Sequence, residues 1–283
     1  MSKSVYEMVT DRIIEQLEKG VIPWQKSFTG IRSGAFNRIS KKPYSLLNQM
    51  LLKFDGEYAS YKQWQDLGGH VRKGAKSEIV VFWKIQPVEE EHEDGTKEVK
   101  QIPFLRYYNV FHISQVDGVE SLPEEELNDI EPIEKADQIL NDYWIRENIT
   151  VEHKAGDKAY YSPSRDLIRL PLFEQFTSAN EYYATAAHES VHSTMKESRC
   201  NRAEERKGKL VAFGSEDYSF EELVAEIGSA SLMNIIDIET SGTFRNSTAY
   251  IQNWLSVLKN DSRFIVSASS KAEKAVKYIL GEA

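Results

Sequence analysis

Residues 187–192 read Ala187-His188-Glu189-Ser190-Val191-His192, and this H-E-x-x-H order constrains the fold more than any other feature of the chain. On an α-helix, residues four apart share one face about a turn from each other, so both imidazoles meet one zinc ion. The order therefore predicts a helix, and Ser178-x-x-Glu181 supplies its start signal. Glu189 stands beside the histidines, placed to take a proton from metal-bound water. The competing reading, two histidines on an ordinary amphipathic helix, is weaker because motif and helical context coincide.

Zinc chemistry needs a third protein ligand and an open fourth position. The continuation H-E-x-x-H-x-x-G-x-x-H fails, because Met195 and Ser198 stand where glycine and histidine are required. A glutamate on a later helix, predicted over Ser219–Ile236, is the other common source. Glu222 leads, with Glu226 and then Glu221 as alternatives. If Glu222 binds, Glu226 lies one turn on and reaches the far nitrogen of one histidine, fixing its tautomer. That pattern resembles the thermolysin-like metallopeptidases. Ser219-x-x-Glu222 is also a capping box, which would turn Glu222 back toward the backbone. Ala225, Gly228, Ser229 and Ala230 suit close packing of this helix on the histidine helix. Tyr218, just before it, is the candidate oxyanion donor, against a plain packing role. Leu167–Leu170 is the candidate sheet edge for an extended peptide. His70, His92, His112 and His153 carry no ligand assignment.

The net charge of −9 is unevenly divided. Residues 1–116 hold 17 Lys+Arg against 14 Asp+Glu, or +3, and subtraction from the totals of 35 and 44 leaves −12 for the rest. Six of those 14 acids lie in Val88–Glu98, around the turn signal Glu93-Asp94-Gly95-Thr96. The same 116 residues carry 15 of the 31 aromatics, so cationic and aromatic side chains coincide, as in binders of unpaired nucleic acid. Core packing of the aromatics is the competing account.

Local signals predict an α+β organisation. A capped helix runs from Ser4-x-x-Glu7 to Gly20, a second spans Pro43–Phe54, and a third spans Ser60–Leu67. Ile79–Ile85 and Phe104–Ile113 make a hairpin across the acidic segment. Asp117–Pro132, with seven acids and two prolines, reads as a connection between domains over 1–118 and 133–283, with 119–132 as linker. The second domain is mostly helical with a small sheet: a helix over Ile133–Asn148, short strands near Val151, Ala159–Tyr161 and Leu167–Leu170, then helices over Ser178–Glu197, Ser219–Ile236, Thr243–Lys259 and Ser262–Leu280. Gly68–Lys76 reads as a glycine-punctuated basic loop in which Arg72, Lys73 and Lys76 offer phosphate contacts. On the following strand Val81, Trp83 and Ile85 share one face and Val80, Phe82 and Lys84 the other. Arg106 and Tyr108 lie on one face of the partner strand as a stacking and phosphate pair; a solvated loop beside a core is the alternative. With one cysteine, Cys200, no internal disulfide forms. No apolar run of about eighteen residues occurs and no secretory signal opens the sequence, so a cytoplasmic protein without membrane contact is expected.

The chain as a whole resembles the ArdC-type antirestriction proteins. The resemblance rests on Val9-Thr-Asp-Arg-Ile-Ile-Glu-Gln-Leu-Glu-Lys-Gly20, Ile22-Pro-Trp24, Leu67-Gly-Gly-His-Val-Arg-Lys-Gly74 and Val80-Val-Phe-Trp-Lys84. It continues through Tyr182-Tyr183, Glu221-Glu-Leu-Val-Ala-Glu226 and Tyr250-Ile-x-x-Trp254. It implies a mobile-element protein with a single-stranded-DNA-binding N-terminal domain before a zincin-like metallopeptidase domain. Zinc would be held by His188, His192 and Glu222, with Glu189 as base and a protein as a further candidate substrate. Two departures, Ser190 after Glu189 and Ser193-Thr194-Met195-Lys196 after His192, fall where a pocket wall is expected. Two other readings stay open: a DNA-localised zinc protease, and a DNA-binding module with a structural metal.

Overall fold

The computed structural model describes residues 3–25, 34–91, 97–122, 132–202, 216–238 and 248–282. Helix α1, Val5–Glu18, starts at a complete capping box between Ser4 and Glu7 and buries Val9, Ile13 and Leu17. Helix α2 is Leu46–Leu51, shorter than the expected Pro43–Phe54. Pro43 instead forms a β-bridge with Phe36, and the Tyr44 N–H donates to the Ala35 carbonyl. These bonds keep the chain extended until Ser45, so the helix starts later. Helix α3, Tyr61–Asp66, has its own capping box from Ser60 and Gln63.

Strands β1 (Phe36–Asn37), β2 (Glu57–Ala59), β4 (Glu78–Glu91) and β5 (Lys97–His112) form one sheet in the order β1-β2-β5-β4. The β4–β5 ribbon pairs continuously from Glu78↔Val110 to Glu91↔Lys97. Most of the acidic segment expected as a loop is therefore strand, because backbone pairing needs no apolar side chains on a solvated ribbon. Strands β3 (His70–Val71) and β6 (Val116–Asp117) form a separate antiparallel pair.

Beyond the connection, whose residues 123–131 lie outside the described part, come α4 (Pro132–Arg146), β7 (Thr150–His153), β8 (Tyr160–Ser162) and β9 (Leu167–Leu170). The sheet order is β7-β9-β8. Leu167–Leu170 is thus the central strand, paired on both sides, and cannot be the peptide-binding edge. Helices α5 (Ala179–Ser193), α6 (Glu216–Ile236), α7 (Thr248–Asn260) and α8 (Phe264–Ile279) complete the chain; the expected helical residues Thr243–Ser247 lie outside the described part. Helix α6 is the hub, packing on α4, α5 and α8. The expected small-residue contact is real: a Cβ on Gly228 would stand 3.0 Å from the Val191 side chain.

One apolar cluster joins both parts of the chain. Val9, Ile13, Leu17, Met50, Ile79, Val81 and Leu105 pack with residues of α4 to α8. Thr10 Oγ1 donates to the Ser262 carbonyl at 2.8 Å, and Lys259 pairs with Glu18 at 3.0 Å. On the other face of the ribbon, Val80 and Val110 join Ala35, Leu52 and Tyr58 in a second cluster. Both faces are therefore covered at the ribbon's base, whereas Trp83, Ile85, Phe104 and Tyr108 are exposed beyond it. Among the described residues no helix is long and apolar enough to cross a membrane.

Candidate metal centre and nucleic-acid face

Ser178 caps α5, its Oγ accepting the Glu181 N–H at 3.2 Å. The helix then presents His188 and His192 one turn apart toward α6, which carries Glu222. The two Nε2 atoms lie 3.0 Å apart; Glu222 Oε2 is 3.6 Å from His188 Nε2, and Oε1 is 3.4 Å from His192 Nε2. Metal bonds of about 2.0–2.2 Å in a tetrahedron put neighbouring ligand atoms about 3.3 Å apart. The triangle has the size of one metal's coordination face. Helix α6 begins at Glu216, so Ser219 lies within it and is not its cap; the capping alternative for Glu222 falls away. Tyr218 lies inside the helix as well, rather than before it, and its side chain is outside the described part.

The carboxylate at the far nitrogen of His192 belongs to Glu221, with Oε1 3.4 Å from Nδ1. Glu221 is gripped by Arg202, whose Nε and Nη2 donate to its two oxygens at 3.1 and 2.7 Å. Arg202 donates in turn to Thr194 Oγ1 at 2.6 Å and the Val191 carbonyl at 2.9 Å. The sequence signal for this pair is weak, because Arg202 lies outside every motif and Glu221 reads only as an alternative ligand. Burial alone raises the Glu221 carboxyl, but Arg202 and His192 outweigh it and hold the group at about 2. Burial opposes charge on His192, yet Glu221, Glu222 and Glu189 together raise its pKa. Glu222 is likewise held well below the usual carboxylate range, its burial outweighed by the two imidazoles. With Glu221 paired to Arg202, Glu222 is the carboxylate left facing the two imidazoles, a donor set that suits a divalent cation.

Four of the five departures from the resembled pattern, Ser190, Ser193, Thr194 and Met195, are buried. Ser190 is fully buried, accepts the Trp144 indole N–H at 2.9 Å and donates to the Ala186 carbonyl at 2.7 Å. Ser193 bonds the Tyr143 hydroxyl at 2.7 Å, Thr194 receives Arg202, and Lys196 reaches Asp166 at 2.6 Å. Ser190 and Ser193 face α4, Thr194 the Arg202 brace and Lys196 the β8–β9 turn, so they alter the support behind the histidines. His153 Nε2 lies 2.9 Å from the Tyr182 hydroxyl.

The residues expected to meet a nucleic acid are more scattered. Phe82 pairs across the ribbon with Arg106, Val80 with Tyr108 and Lys84 with Phe104, so Lys84, Arg106 and Tyr108 share one face. The Phe82 and Tyr108 rings stack at 4.4 Å and 3°. Arg72, Lys73 and Lys76 are exposed, but their segment is not all loop, since His70–Val71 is strand. Arg72 is partly committed, donating to the Ser114 carbonyl and lying 3.2 Å from Asp117. Gly69 serves packing rather than ligand approach: a Cβ there would meet Val116 and Val119 at 2.8 Å.

Residues 3–111 match the family model of the N-terminal domain of anti-restriction factor ArdC, and residues 134–271 match a zincin-like metallopeptidase model. Two crystal structures of the antirestriction ArdC protein from plasmid R388, one metal-free and one Mn(II)-bound, align with a TM-score of 0.75 at 33% and 32% identity, covering 99% of this chain and 98% of theirs. A DNA primase TraC of Escherichia coli is 32% identical over 98% of this chain and 20% of the primase; a second TraC is 33% identical over 99% and 27%. The chain thus spans about a fifth to a quarter of the length of these primases. A Sinorhizobium fredii protein, y4eC, described as uncharacterized, is 33% identical over 97% of this chain and 91% of its own length.

Proposed function

The chain belongs to the ArdC antirestriction family, with a zincin-like metallopeptidase domain in its second half, and on that premise we propose a division of labour between its two parts. Residues 1–118 bind single-stranded DNA, 119–132 connect, and 133–283 hold a zinc ion, in the cytoplasm of a cell that a mobile element has entered. Coating of the incoming strand is the protective act. The observation that carries the metal reading is the triangle of His188, His192 and Glu222, its atoms spaced as ligands of one ion. Two imidazoles and a carboxylate suit zinc among common divalent ions.

When bound, zinc polarises a scissile carbonyl and lowers the pKa of a water. Glu189, buried next to His188, would accept a proton from the attacking water and pass it to the leaving amine nitrogen. Glu221, braced by Arg202, keeps the His192 Nδ1 protonated so that Nε2 faces the metal; Glu226 is the candidate for the same service at His188. Tyr218 is the candidate donor to the carbonyl oxygen. The free edge of β8, a strand that packs on α5, is the place for an extended peptide. Among the described residues three ligand atoms converge, which favours an open catalytic site over a closed structural one.

The test joins metal analysis of the purified protein to the Glu189→Ala variant. Bound zinc with lost peptide hydrolysis and intact antirestriction supports coating as the protective act. Loss of antirestriction in that variant moves the function to the DNA-localised protease. A wild-type protein without metal removes the site.

A further inference from the structure

The β4–β5 ribbon has a second face, opposite Lys84, Arg106 and Tyr108, and this face looks across a cleft at α8. The cleft has a volume of about 490 Å³, and Leu47, Val81, Trp83, Leu105, Lys274 and Lys277 are among its lining residues. Val81 and Leu105 are buried in the shared core, but the Trp83 indole is 50% exposed. Tyr6 of α1 packs against Trp83 in a T-shaped contact at 6.4 Å and holds it in place. The other four tryptophans, at positions 24, 64, 144 and 254, are buried.

The charge on the α8 wall is set by three residues. Glu273 is committed: its carboxylate accepts Lys277 Nζ at 2.8 Å and the Leu46 N–H at 3.0 Å. Lys277 offsets that acid and keeps two further N–H donors. Lys274, exposed and three residues before Lys277, leaves the wall net positive. An aromatic platform facing a cationic helix across an apolar floor complements a chain of bases and phosphates. An apolar peptide would leave the cation unused. A cavity of this size admits an unstacked nucleotide and excludes a duplex.

We infer that the cleft is a second single-strand subsite, in which a base stacks on Trp83 while adjoining phosphates meet Lys274 and Lys277. This rests on the single-strand-binding reading of the N-terminal half and extends the strand's path onto the C-terminal half. Neither aromatic face of the ribbon then stands idle, and α8 becomes part of the nucleic-acid surface.

Trp83 makes the inference testable, because it is the one indole that solvent and ligand reach freely. A short oligothymidylate is titrated into the full-length protein while anisotropy and tryptophan emission are read together. Emission should be quenched in step with binding, and Trp83→Phe should remove the quench. Trp83→Ala should weaken binding about 5- to 150-fold, the range for one stacked base. Lys274→Glu should weaken it about 5-fold at low salt and flatten the salt slope by about 0.7 or more. Oligonucleotide binding with unchanged emission and an unchanged Lys274→Glu affinity overturns the cleft while leaving the outer face in place. No binding at all overturns both the cleft and the reading beneath it. Quenching of Trp83 by a peptide and not by the oligonucleotide assigns the cleft to a protein and overturns it too.

Discussion

The proposed metal centre and the proposed nucleic-acid face are built on opposite principles. At the centre every functional side chain is held by another: Glu222 by two histidines, His192 by Glu221, Glu221 by Arg202, and Arg202 by Thr194 and the Val191 carbonyl. On the β4–β5 ribbon Lys84, Arg106 and Tyr108 stand in solvent, ordered by strand pairing and one ring stack. A metal demands positions good to fractions of an ångström, which only a buried, mutually bonded network supplies. A flexible polyanion tolerates displacement, and its binding sums many small terms. The lesson is that the first site should fail abruptly and the second gradually.

The sharpest break is expected at Glu222. Glu222→Ala removes one of three ligands and should lower zinc affinity on the order of a thousand-fold, read by competition with a chromophoric chelator. An affinity within tenfold of wild type would mean that another acid ligates. Next comes the brace. Glu221→Gln and Arg202→Leu should each lower zinc affinity about 10- to 100-fold. Arg202→Leu, which strands a buried carboxylate, should also cost about 3 kcal/mol in urea unfolding. If only stability moves, the pair is structural and the contrast between the two regions weakens.

Smaller effects belong to the ribbon. Tyr108→Ala should weaken single-strand binding by about 1–2 kcal/mol, measured by oligonucleotide anisotropy at fixed salt. The smallest changes separate the basic residues of 72–76. Lys73→Ala and Lys76→Ala should each flatten the salt slope by about 0.7, whereas Arg72→Ala, already committed to Asp117 and the Ser114 carbonyl, should do less. Equal slopes for all three would show that Arg72 leaves Asp117 when the strand arrives.

What could be read from the residues followed how local each signal was. The helix carrying His188 and His192, the capping box of α1, the short helix α3 and the β4–β5 hairpin were legible, because each follows from spacing within a dozen residues. The start of α2 was missed, since the bridge of Pro43 to Phe36 is made by a strand several residues upstream. The edge role of Leu167–Leu170 was misjudged because pairing order is not written in any one strand.

The amino-acid order alone determined the class of the molecule and the alphabet of its proposed chemistry: an H-E-x-x-H helix, a glutamate-bearing helix to complete it, and a basic, aromatic first part. Tertiary structure alone decided which carboxylate serves His192, that Ser190 faces Trp144 rather than a pocket, and that α8 stands opposite Trp83. Periodicity along a chain specifies which side of a helix or strand a residue occupies. What that side meets depends on how distant segments pack, and here residues of α1, α2 and the ribbon share one core with α4 to α8.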